Sequence, residues 1–312
     1  MTGTVKLGTR RSQLALTQSG LVADMIRGLG MDVELVEIVS DGDRSQSAGT
    51  PLSGAPSTGV FVSALRDALL SNEIDVAVHS LKDLPTYPAE GIVLAAIPER
   101  EDPRDVVVAR DGLTLGELPQ GAKVGTGSPR RAAQLAALGM GLEISGVRGN
   151  VDTRIGKVRS GEYDAVVLAR AGLARIGRLD EATEVLDPLQ MLPAPGQGAL
   201  AVECRTEDWA LIEALTALDD PHARAAVTAE RAVLATLEGG CAAPIGALAE
   251  VVEGDSAEGG EELWVRAALL SPDGAVVARM STTGAIADAE GVGRRLANTM
   301  LSEAGLAEGE GA

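Results

Sequence analysis

The sequence predicts an α/β fold for the first 200 residues and a smaller α+β domain after them. Three observations lead to this prediction. Strand and helix patterns alternate along the first part, two short stretches recur in the same order, and the character of the sequence changes near Asp219. Alternating strands and helices are typical of sheets with mostly parallel strands and helical crossovers. We therefore expect two or three domains, each long enough to bury its own core.

The strands and helices of the first part follow from the spacing of apolar residues. A strand is expected almost at the N-terminus, and residues 33–39 alternate with period two, as a strand does. Residues 61–70 have apolar side chains at helical spacing and lead into a strand at 74–78. Similar helix-then-strand units are predicted to end at 106–108 and at 165–168.

Two internal echoes predict that the first part contains two lobes built on one plan. Residues 71–78 (SNEIDVAV) resemble residues 160–167 (SGEYDAVV), and residues 6–9 (KLGT) resemble residues 123–126 (KVGT). Each match is short, but the two pairs occur in the same order along the chain. Open α/β sheets bind ligands beyond the carboxyl ends of their strands, so the residues after these stretches are candidates for a binding site.

The last part of the chain has its own pattern. Residues 223–237 are predicted to form a helix, and residues 263–278 a hairpin around the turn at 271–274. Residues 285–304 have the apolar spacing of an amphipathic helix. These elements predict a third, smaller domain.

Composition excludes several classes of partner. The net charge is −18, and a nucleic-acid-binding protein needs a basic face, so we expect no nucleic-acid partner. No apolar run approaches the roughly 18 residues of a membrane span, so we expect no membrane partner. The first residues show no export signal, which favours the cytoplasm. The spacing of the cysteines and histidines fits no zinc site, so no metal is expected.

Arginines are concentrated in two short loops of this acidic chain. They occur in residues 124–131 (VGTGSPRR) and residues 148–154 (RGNVDTR). Arginine binds carboxylate or phosphate bidentately and stays charged when partly buried. Ser128 is expected to cap a helix that begins at Pro129, where free backbone N–H groups favour an anion. The alternative is an ordinary capped helix with solvated arginines, and residues 9–12 permit the same two interpretations more weakly.

Four single residues carry groups that could do chemistry, and two of them, His79 and Cys204, are expected to be structural. Asp83 follows an apolar strand, where a lone aspartate usually caps a turn. His79 is expected to be a core or strand-end histidine, and Cys204 a buried strand residue. Cys241 follows two glycines and precedes a proline turn, so its thiol is expected on an exposed loop. Such a thiol suits a covalent role, although an incidental free thiol fits the spacing equally well.

Six stretches together resemble the porphobilinogen deaminases, also called hydroxymethylbilane synthases. Any one of them is a weak signal, but their order along the chain is that of the family. They are residues 7–15 (LGTRRSQLA), 79–85 (HSLKDLP), 124–131, 148–154, 195–199 (PGQGA) and 237–246 (LEGGCAAPIG).

The resemblance implies two lobes like those of periplasmic binding proteins and a C-terminal domain that carries a cofactor cysteine. The expected limits are 1–98 for the first lobe, rejoined by 198–217, then 99–197 for the second and 218–312 for the C-terminal domain. The resemblance also implies a dipyrromethane cofactor attached to Cys241 as a thioether. The reaction would condense four porphobilinogens head to tail, with loss of ammonia, into linear hydroxymethylbilane. Monomer is the family's usual state.

The resemblance assigns roles to twelve residues. Asp83 matches the catalytic aspartate, whose carboxylate would stabilise positive charge at a pyrrole nitrogen. The residues expected to hold the cofactor are Cys241, Lys82, Thr126, Ser128, Arg130, Arg131 and Arg154. The residues expected to bind substrate are Arg10, Ser12, Arg148 and Arg175. Porphobilinogen carries an acetate and a propionate, so a polycarboxylate ligand would explain arginine clusters in an acidic protein.

Residues 42–59 are rich in Gly, Ser and Pro and are expected to form either a mobile surface loop or a lid. The chain departs from the family pattern in the stretch that begins at Thr58 and again at the predicted start of the helix at Pro129. Thr58 and Ser63 stand where the family commonly has lysines, and Arg44 is a candidate substitute for them. Phe61 is retained. Gly127 and Pro129 replace the family's usual Ser and Leu, for which we expect small effects.

Two other functions compete with the deaminase interpretation. A non-catalytic binding protein for an anionic metabolite explains the lobes and the arginines, but not the third domain or the Gly-Gly-Cys loop. A thiol-dependent enzyme with Cys241 as nucleophile lacks a neighbouring base in the local sequence. Neither rival predicts a stable pyrrole adduct on the protein.

Overall fold

The computed structural model describes residues 3–39, 57–238, 244–254 and 260–306, without the side chains of residues 57–61 and Glu238. Its contacts divide the chain into two compact units. The first unit contains Met1–Arg100 and Ala199–Ala223, and the second contains Glu101–Gly198 and Arg224–Ala312. In the ranges above, no helix combines the length and the hydropathy that a membrane span needs.

Strands and helices alternate up to residue 216, except that four strands follow one another between residues 76 and 125 and two between residues 184 and 205. The strands are β1 (Val5–Thr9), β2 (Val33–Glu37), β3 (Val76–Ser80), β4 (Ile92–Ala96), β5 (Asp105–Ala109), β6 (Lys123–Gly125), β7 (Glu143–Ser145), β8 (Ala165–Ala169), β9 (Glu184–Val185), β10 (Leu200–Arg205), β11 (Ile245–Glu253), β12 (Glu261–Leu270) and β13 (Val276–Ala285). The helices are α1 (Gln13–Gly28), α2 (Ser57–Leu70), α3 (Pro129–Ala137), α4 (Val151–Arg159), α5 (Arg170–Arg175), α6 (Trp209–Thr216), α7 (Pro221–Glu238) and α8 (Ala289–Glu303).

The first unit is built on a five-stranded sheet with the order β2-β1-β3-β10-β4. Strand β1 pairs in parallel with β2 and β3, whereas β10 runs antiparallel to β3 and β4. Apolar side chains cover both faces of the sheet: one core contains Leu7, Val22 and Ile26, and a second contains Leu65 and Leu69 of α2. Because β1 and β3 are parallel, their carboxyl ends lie at one edge of the sheet.

The second unit repeats this plan in a sheet with the order β7-β6-β8-β5-β9. Strand β6 pairs in parallel with β7 and β8, and β5 runs antiparallel to β8 and β9. The sequence echoes fall on matching elements, since residues 6–9 and 123–126 cover β1 and β6, and residues 71–78 and 160–167 lead into β3 and β8. The two lobes therefore share one topology, as the echoes predict.

A three-stranded antiparallel sheet, β11-β12-β13, completes the second unit. One face packs against α7 and α8 around a core that includes Val233, Leu296 and Met300. The hairpin turn is closed by a bond from the Gly274 N–H to the Ser271 carbonyl at 3.0 Å. Gly274 has φ +91°, a conformation that glycine adopts at low cost.

The predicted fold class is confirmed: two α/β lobes and a smaller C-terminal sheet with helices. Three details of the prediction are wrong. No helix precedes β5, because β4 leads to it through residues 97–104. Helix α8 begins at Ala289 rather than at residue 285, because β13 continues to Ala285. Each five-stranded sheet has as many antiparallel as parallel pairings, because β5 and β10 run against their neighbours.

The predicted loop at 42–59 is only partly described. Residues 42–56 lie outside the described ranges, and residues 57–59 begin helix α2 rather than end a loop. The limits of the three domains remain a prediction, since the contacts place the C-terminal sheet and the second lobe in one unit.

Gly8 in β1 offers a test of core packing. A Cβ at this position would lie 2.4 Å from Ile74 Cδ1 and 3.0 Å from Leu65 Cδ2. We expect Gly8→Ala to lower the free energy of unfolding by about 1–3 kcal/mol, as overpacking does. Gly20→Ala in α1 is the control, because nothing lies within 4 Å of that Cβ. The control should gain about 0.5–1 kcal/mol in urea unfolding, and equal effects of the two changes would contradict the packing argument.

Candidate active site

A pocket of about 110 Å³ lies in the first unit, where β1 and β3 end. We call it the first-lobe pocket. Apolar side chains that include Val62, Leu65 and Val78 form part of its wall. The polar side chains of the wall are those of Arg10, Ser12, Gln18, His79, Ser80 and Asp83. The fold therefore brings together three predicted site residues, Arg10, Ser12 and Asp83, from the ends of two strands.

The start of α1 positions one side of the first-lobe pocket. Ser12 caps this helix, because its hydroxyl oxygen accepts a bond from the Ala15 N–H at 3.3 Å. One turn further, the Gln18 amide donates to the Ser80 hydroxyl at 2.9 Å. This bond ties α1 to the end of β3, so the two halves of the wall are held together.

Asp83 lies in a single 3₁₀ turn, Leu81–Asp83, that follows β3 directly. The Leu81 N–H donates to the Ala199 carbonyl at 3.0 Å, which fixes this turn to the chain before β10. Burial raises the pKa of the Asp83 carboxyl above its ordinary value, against the opposing charges of Lys82, His79 and Arg10. A desolvated carboxylate beside cations is suited to stabilising positive charge on a bound ligand.

The start of α3 in the second unit has the predicted capping geometry. Ser128 is the N-cap, its hydroxyl oxygen accepts from the Arg131 N–H at 3.4 Å, and Pro129 is the first helical residue. The Thr126 hydroxyl oxygen accepts from the Ser128 N–H at 3.1 Å, which shapes the turn between β6 and the helix. The predicted helix start is confirmed.

Arg130 and Arg131 are buried, and one carboxylate, that of Asp105, pairs with both. The Arg130 Nη2 lies 2.7 Å from one Asp105 oxygen, and the Arg131 Nη2 lies 2.8 Å from the other. Each arginine is 6% exposed and Asp105 is 0% exposed. The alternative of solvated arginines is therefore wrong, and the sequence analysis missed Asp105. An acidic residue at the head of an apolar strand was the signal for it.

Gln197, within the 195–199 stretch, completes the Asp105 cluster. Its amide donates to Asp105 Oδ1 at 2.7 Å and to the Pro103 carbonyl at 2.7 Å. Burial would raise the pKa of the Asp105 carboxyl, but the charges of Arg130 and Arg131 outweigh it and hold that pKa well below its usual range. Asp105 is thus a carboxylate at any working pH.

Arg130, Arg131 and Arg154 together carry more positive charge than the single Asp105 carboxylate neutralises. Burial lowers the pKa of Arg154, and the charge of Arg131 lowers it further, so these two cations interact. Within the described part of the chain, the Nε atoms of Arg130 and Arg131 are buried without a hydrogen-bond partner. Adjacent guanidinium charges of this kind favour an anionic ligand.

The remaining predicted residues are placed as follows. Arg154 Nε donates to the Gly149 carbonyl at 2.8 Å, and Arg148 in the same loop is exposed. The Arg175 guanidinium donates to the Gly198 carbonyl at 2.6 Å, and burial lowers its pKa. Lys82 is half-buried beside Asp83.

Several predictions fall on residues that the structure does not describe. The predicted cofactor cysteine, Cys241, lies outside the described ranges, as do Arg44 and the side chains of Thr58 and Phe61. Cys204 is buried, and burial raises the pKa of its thiol to about 11, which confirms its interpretation as a strand residue. The described residues contain no group of three or more acidic, His or Cys side chains placed to bind a metal.

Asp105, Arg130, Arg131 and Gln197 form what we call the Asp105 cluster. We expect this cluster to make a large contribution to the free energy of unfolding of the second unit, and to lose it at acidic pH. Asp105→Asn removes the shared carboxylate from two buried guanidinium groups, so we expect a loss of about 3–5 kcal/mol in the free energy of unfolding at neutral pH. Because the pKa of folded Asp105 is below the ordinary 3.8, its stabilisation is present above that value and is lost as the pH falls below it. Urea unfolding at several pH values measures both effects.

The control for this test is Asp111→Asn, which changes an exposed aspartate of the same unit. We expect it to leave stability nearly unchanged. An Asp105→Asn protein as stable as this control would contradict the role of the cluster.

The chain matches two family models and many curated relatives. Residues 5–213 match the model "Porphobilinogen deaminase, dipyromethane cofactor binding domain", and residues 224–302 match "Porphobilinogen deaminase, C-terminal domain". Porphobilinogen deaminase of Nocardia farcinica is 57% identical over 303 residues, which cover 96% of this chain and 86% of that protein. Porphobilinogen deaminase 1 of Streptomyces coelicolor is 56% identical over 309 residues, which cover 96% of this chain and 95% of that protein.

A likeness to solved structures is weaker. A methionine-binding lipoprotein of Bacillus subtilis is 14% identical, with a TM-score of 0.42 over 69% of this chain and 89% of that one, too low to support a conclusion. The matches to the family models and to the curated relatives extend over nearly the whole chain. The protein is an enzyme with a dipyrromethane-binding region, and it belongs to the porphobilinogen deaminase family.

Proposed function

We propose that this protein condenses four porphobilinogen molecules head to tail into linear hydroxymethylbilane. One ammonia leaves at each step, and the chain grows on a dipyrromethane primer attached to the sulfur of Cys241. This proposal rests on the presence of two features in a chain of this family. They are a desolvated carboxylate, Asp83, in the first unit and an excess of buried guanidinium charge in the second.

The arginines would bind the carboxylates of the ligands. Each porphobilinogen carries an acetate and a propionate, so every condensation adds two negative charges to the product. In the first unit, Arg10 and Ser12 lie in the wall of the first-lobe pocket and are assigned to substrate. In the second unit, Arg148 and Arg175 are assigned to substrate as well. Bidentate guanidinium–carboxylate bonds supply both affinity and orientation.

The cofactor would be held mainly by residues of the second unit. Thr126 and Ser128 shape the start of α3, where backbone N–H groups favour a carboxylate. The positive charges of Arg130, Arg131 and Arg154 would attract its acid groups. Lys82 and the thioether at Cys241 complete the set assigned to it. When bound, the dipyrromethane supplies the free pyrrole carbon to which the first substrate is joined.

Asp83 would act on the reacting porphobilinogen. Loss of ammonia from its aminomethyl group places positive charge on the pyrrole nitrogen, and an adjacent carboxylate stabilises that charge. The low-polarity surroundings that raise the pKa of Asp83 also strengthen this interaction. The same carboxylate would exchange protons with the departing amine and with the attacking carbon.

We also propose that the protein works as a cytoplasmic monomer without a nucleic-acid partner. The net charge of −18 supports the last point, because phosphate backbones repel an acidic surface. The expectation of a monomer comes from the family resemblance.

Replacement of the catalytic aspartate separates chemistry from folding. Asp83→Asn keeps the size of the side chain and removes its charge, so we expect turnover to fall at least tenfold. Burial raises the pKa of Asp83, so the charged form is not stabilising and the variant should be at least as stable as the wild type. Asp180→Asn, an exposed change, is the control. Turnover above about a tenth of normal would rule out this role for Asp83.

The mass of the covalent cofactor can be measured directly. Intact mass spectrometry under denaturing conditions should find an excess equal to two linked pyrrole units on the wild-type chain. The excess should be absent from Cys241→Ser and present in Cys204→Ser, since Cys204 is buried. A wild-type chain without the excess, even after incubation with porphobilinogen, would favour the anion-binding protein instead.

A further inference from the structure

Helix α2 supplies part of the apolar wall of the first-lobe pocket. Val62 and Leu65 line the pocket, and both are buried. Leu65 and Leu69 also pack into the core on this face of the sheet. Apolar contacts are non-directional, so a helix can shift along a sheet and keep most of them. A directional contact is needed to hold these two wall residues in one place.

Such a contact joins Arg66 of α2 to Glu203 of β10. Arg66 Nε lies 3.0 Å from Glu203 Oε2, and Arg66 Nη2 lies 2.6 Å from Glu203 Oε1. The two side chains are 13% and 4% exposed. Two bonds between planar groups fix orientation as well as distance. Since Arg66 follows Leu65 directly and lies one helical turn after Val62, the fork fixes both wall residues relative to the sheet.

The carboxylate that accepts the fork belongs to the framework of the sheet. Glu203 lies within β10, opposite Ala77 of β3. Its Oε2 also lies 3.3 Å from Nε2 of His79, a residue of β3 that lines the pocket. The fork therefore links the helical part of the pocket wall to its strand part.

We propose that Arg66 is a positioning residue: its fork on Glu203 holds α2 where Val62 and Leu65 form the wall against which porphobilinogen binds. The proposal rests on the function proposed above, which gives Arg66 no role. Arg66 is not among the side chains that line the pocket. A largely buried ion pair gains little net stability over apolar side chains of similar size, because desolvation offsets the attraction. Directional bonds are what an apolar pair would lack.

Arg66→Lys tests the fork in the full-length holoenzyme. Lysine keeps a positive charge beside Glu203 but cannot form two bonds in one plane. We expect KM for porphobilinogen to rise at least about tenfold with kcat nearly unchanged, because a displaced wall weakens binding of substrate and transition state alike. A KM equal to that of the wild type would overturn the proposal.

Arg205→Lys is the matched control, because it also removes a guanidinium group that holds α2. Arg205 of β10 donates to the Leu69 and Ile74 carbonyls at 3.1 and 2.6 Å, so it clamps the end of the helix away from Val62. The change should lower the thermal midpoint and leave KM unchanged. A rise in KM as large as that of Arg66→Lys would assign the effect to general loosening and overturn the proposal.

A double variant separates positioning from stability. Arg66→Met with Glu203→Met replaces the ion pair by apolar side chains, a change that often leaves stability equal or higher. We expect a thermal midpoint at least equal to that of the wild type and a KM that stays raised. A wild-type KM in this variant would show that the pair only stabilises the fold, and would overturn the proposal.

The position of the wall can be observed without turnover. In methyl-labelled full-length protein, Val62→Ala identifies the ¹³C-methyl signals of Val62. Arg66→Lys should shift or broaden these signals, and Arg205→Lys should leave them in place. Unchanged Val62 signals in Arg66→Lys would overturn the proposal even if KM rose.

The two proposals fail in different ways. If the protein neither carries the pyrrole adduct nor turns over porphobilinogen, the proposed function fails, whereas the Val62 signals still report whether Arg66 holds α2. If the wild type is active and Arg66→Lys keeps its KM, only the positioning role fails. Should the double variant not fold, Arg66→Lys and Arg205→Lys still decide.

Discussion

The second unit buries the guanidinium groups of Arg130 and Arg131 within hydrogen-bond distance of one carboxylate, that of Asp105. Two cations cannot be removed from water side by side unless an anion is fixed between them, because the desolvation cost of each is several kcal/mol, and their mutual repulsion adds to it. Asp105 meets this requirement while Gln197 holds the carboxylate from a third direction. The arginines can then remain rigid and charged at the start of α3, where a ligand carboxylate would meet preorganised donors rather than mobile side chains.

The shared topology of the lobes explains where the polar residues lie. Parallel strands end at one edge of each sheet, so the residues after β1 and β3 meet in the first unit and those after β6, β7 and β8 meet in the second. The same plan carries different chemistry in each unit. The first buries a carboxyl group, that of Asp83, and the second brings the charges of Arg131 and Arg154 close enough to interact.

The antiparallel strands β5 and β10 each carry one buried carboxylate. Asp105 is the first residue of β5, and Glu203 lies within β10. These strands occupy equivalent positions in the two sheets, beside β8 and β3. Each places a carboxylate beside guanidinium groups: those of Arg130 and Arg131 in one case, and that of Arg66 in the other. These buried carboxylates therefore lie on the strands by which the chain enters the second unit and returns to the first.

Local patterns in the sequence were sufficient for the α/β class, the echo of the two lobes, the helix start at Ser128–Pro129 and the buried position of Cys204. These features depend on residues close together in the chain: apolar period, capping chemistry and strand composition. The resemblance to a family likewise rested on short stretches in order, and the family is confirmed.

Tertiary structure alone decided which charges are paired. Asp105 lies 25 and 26 residues from its arginines, and Glu203 lies 137 residues from Arg66, distances over which sequence spacing carries no information on contact. Strand register and the packing of α2 and α3 bring them together. The sequence by itself determined that this acidic chain carries arginines in two loops. Only the fold decided that Arg130 and Arg131 are buried on a shared carboxylate, because burial of a charge depends on what the rest of the chain places beside it.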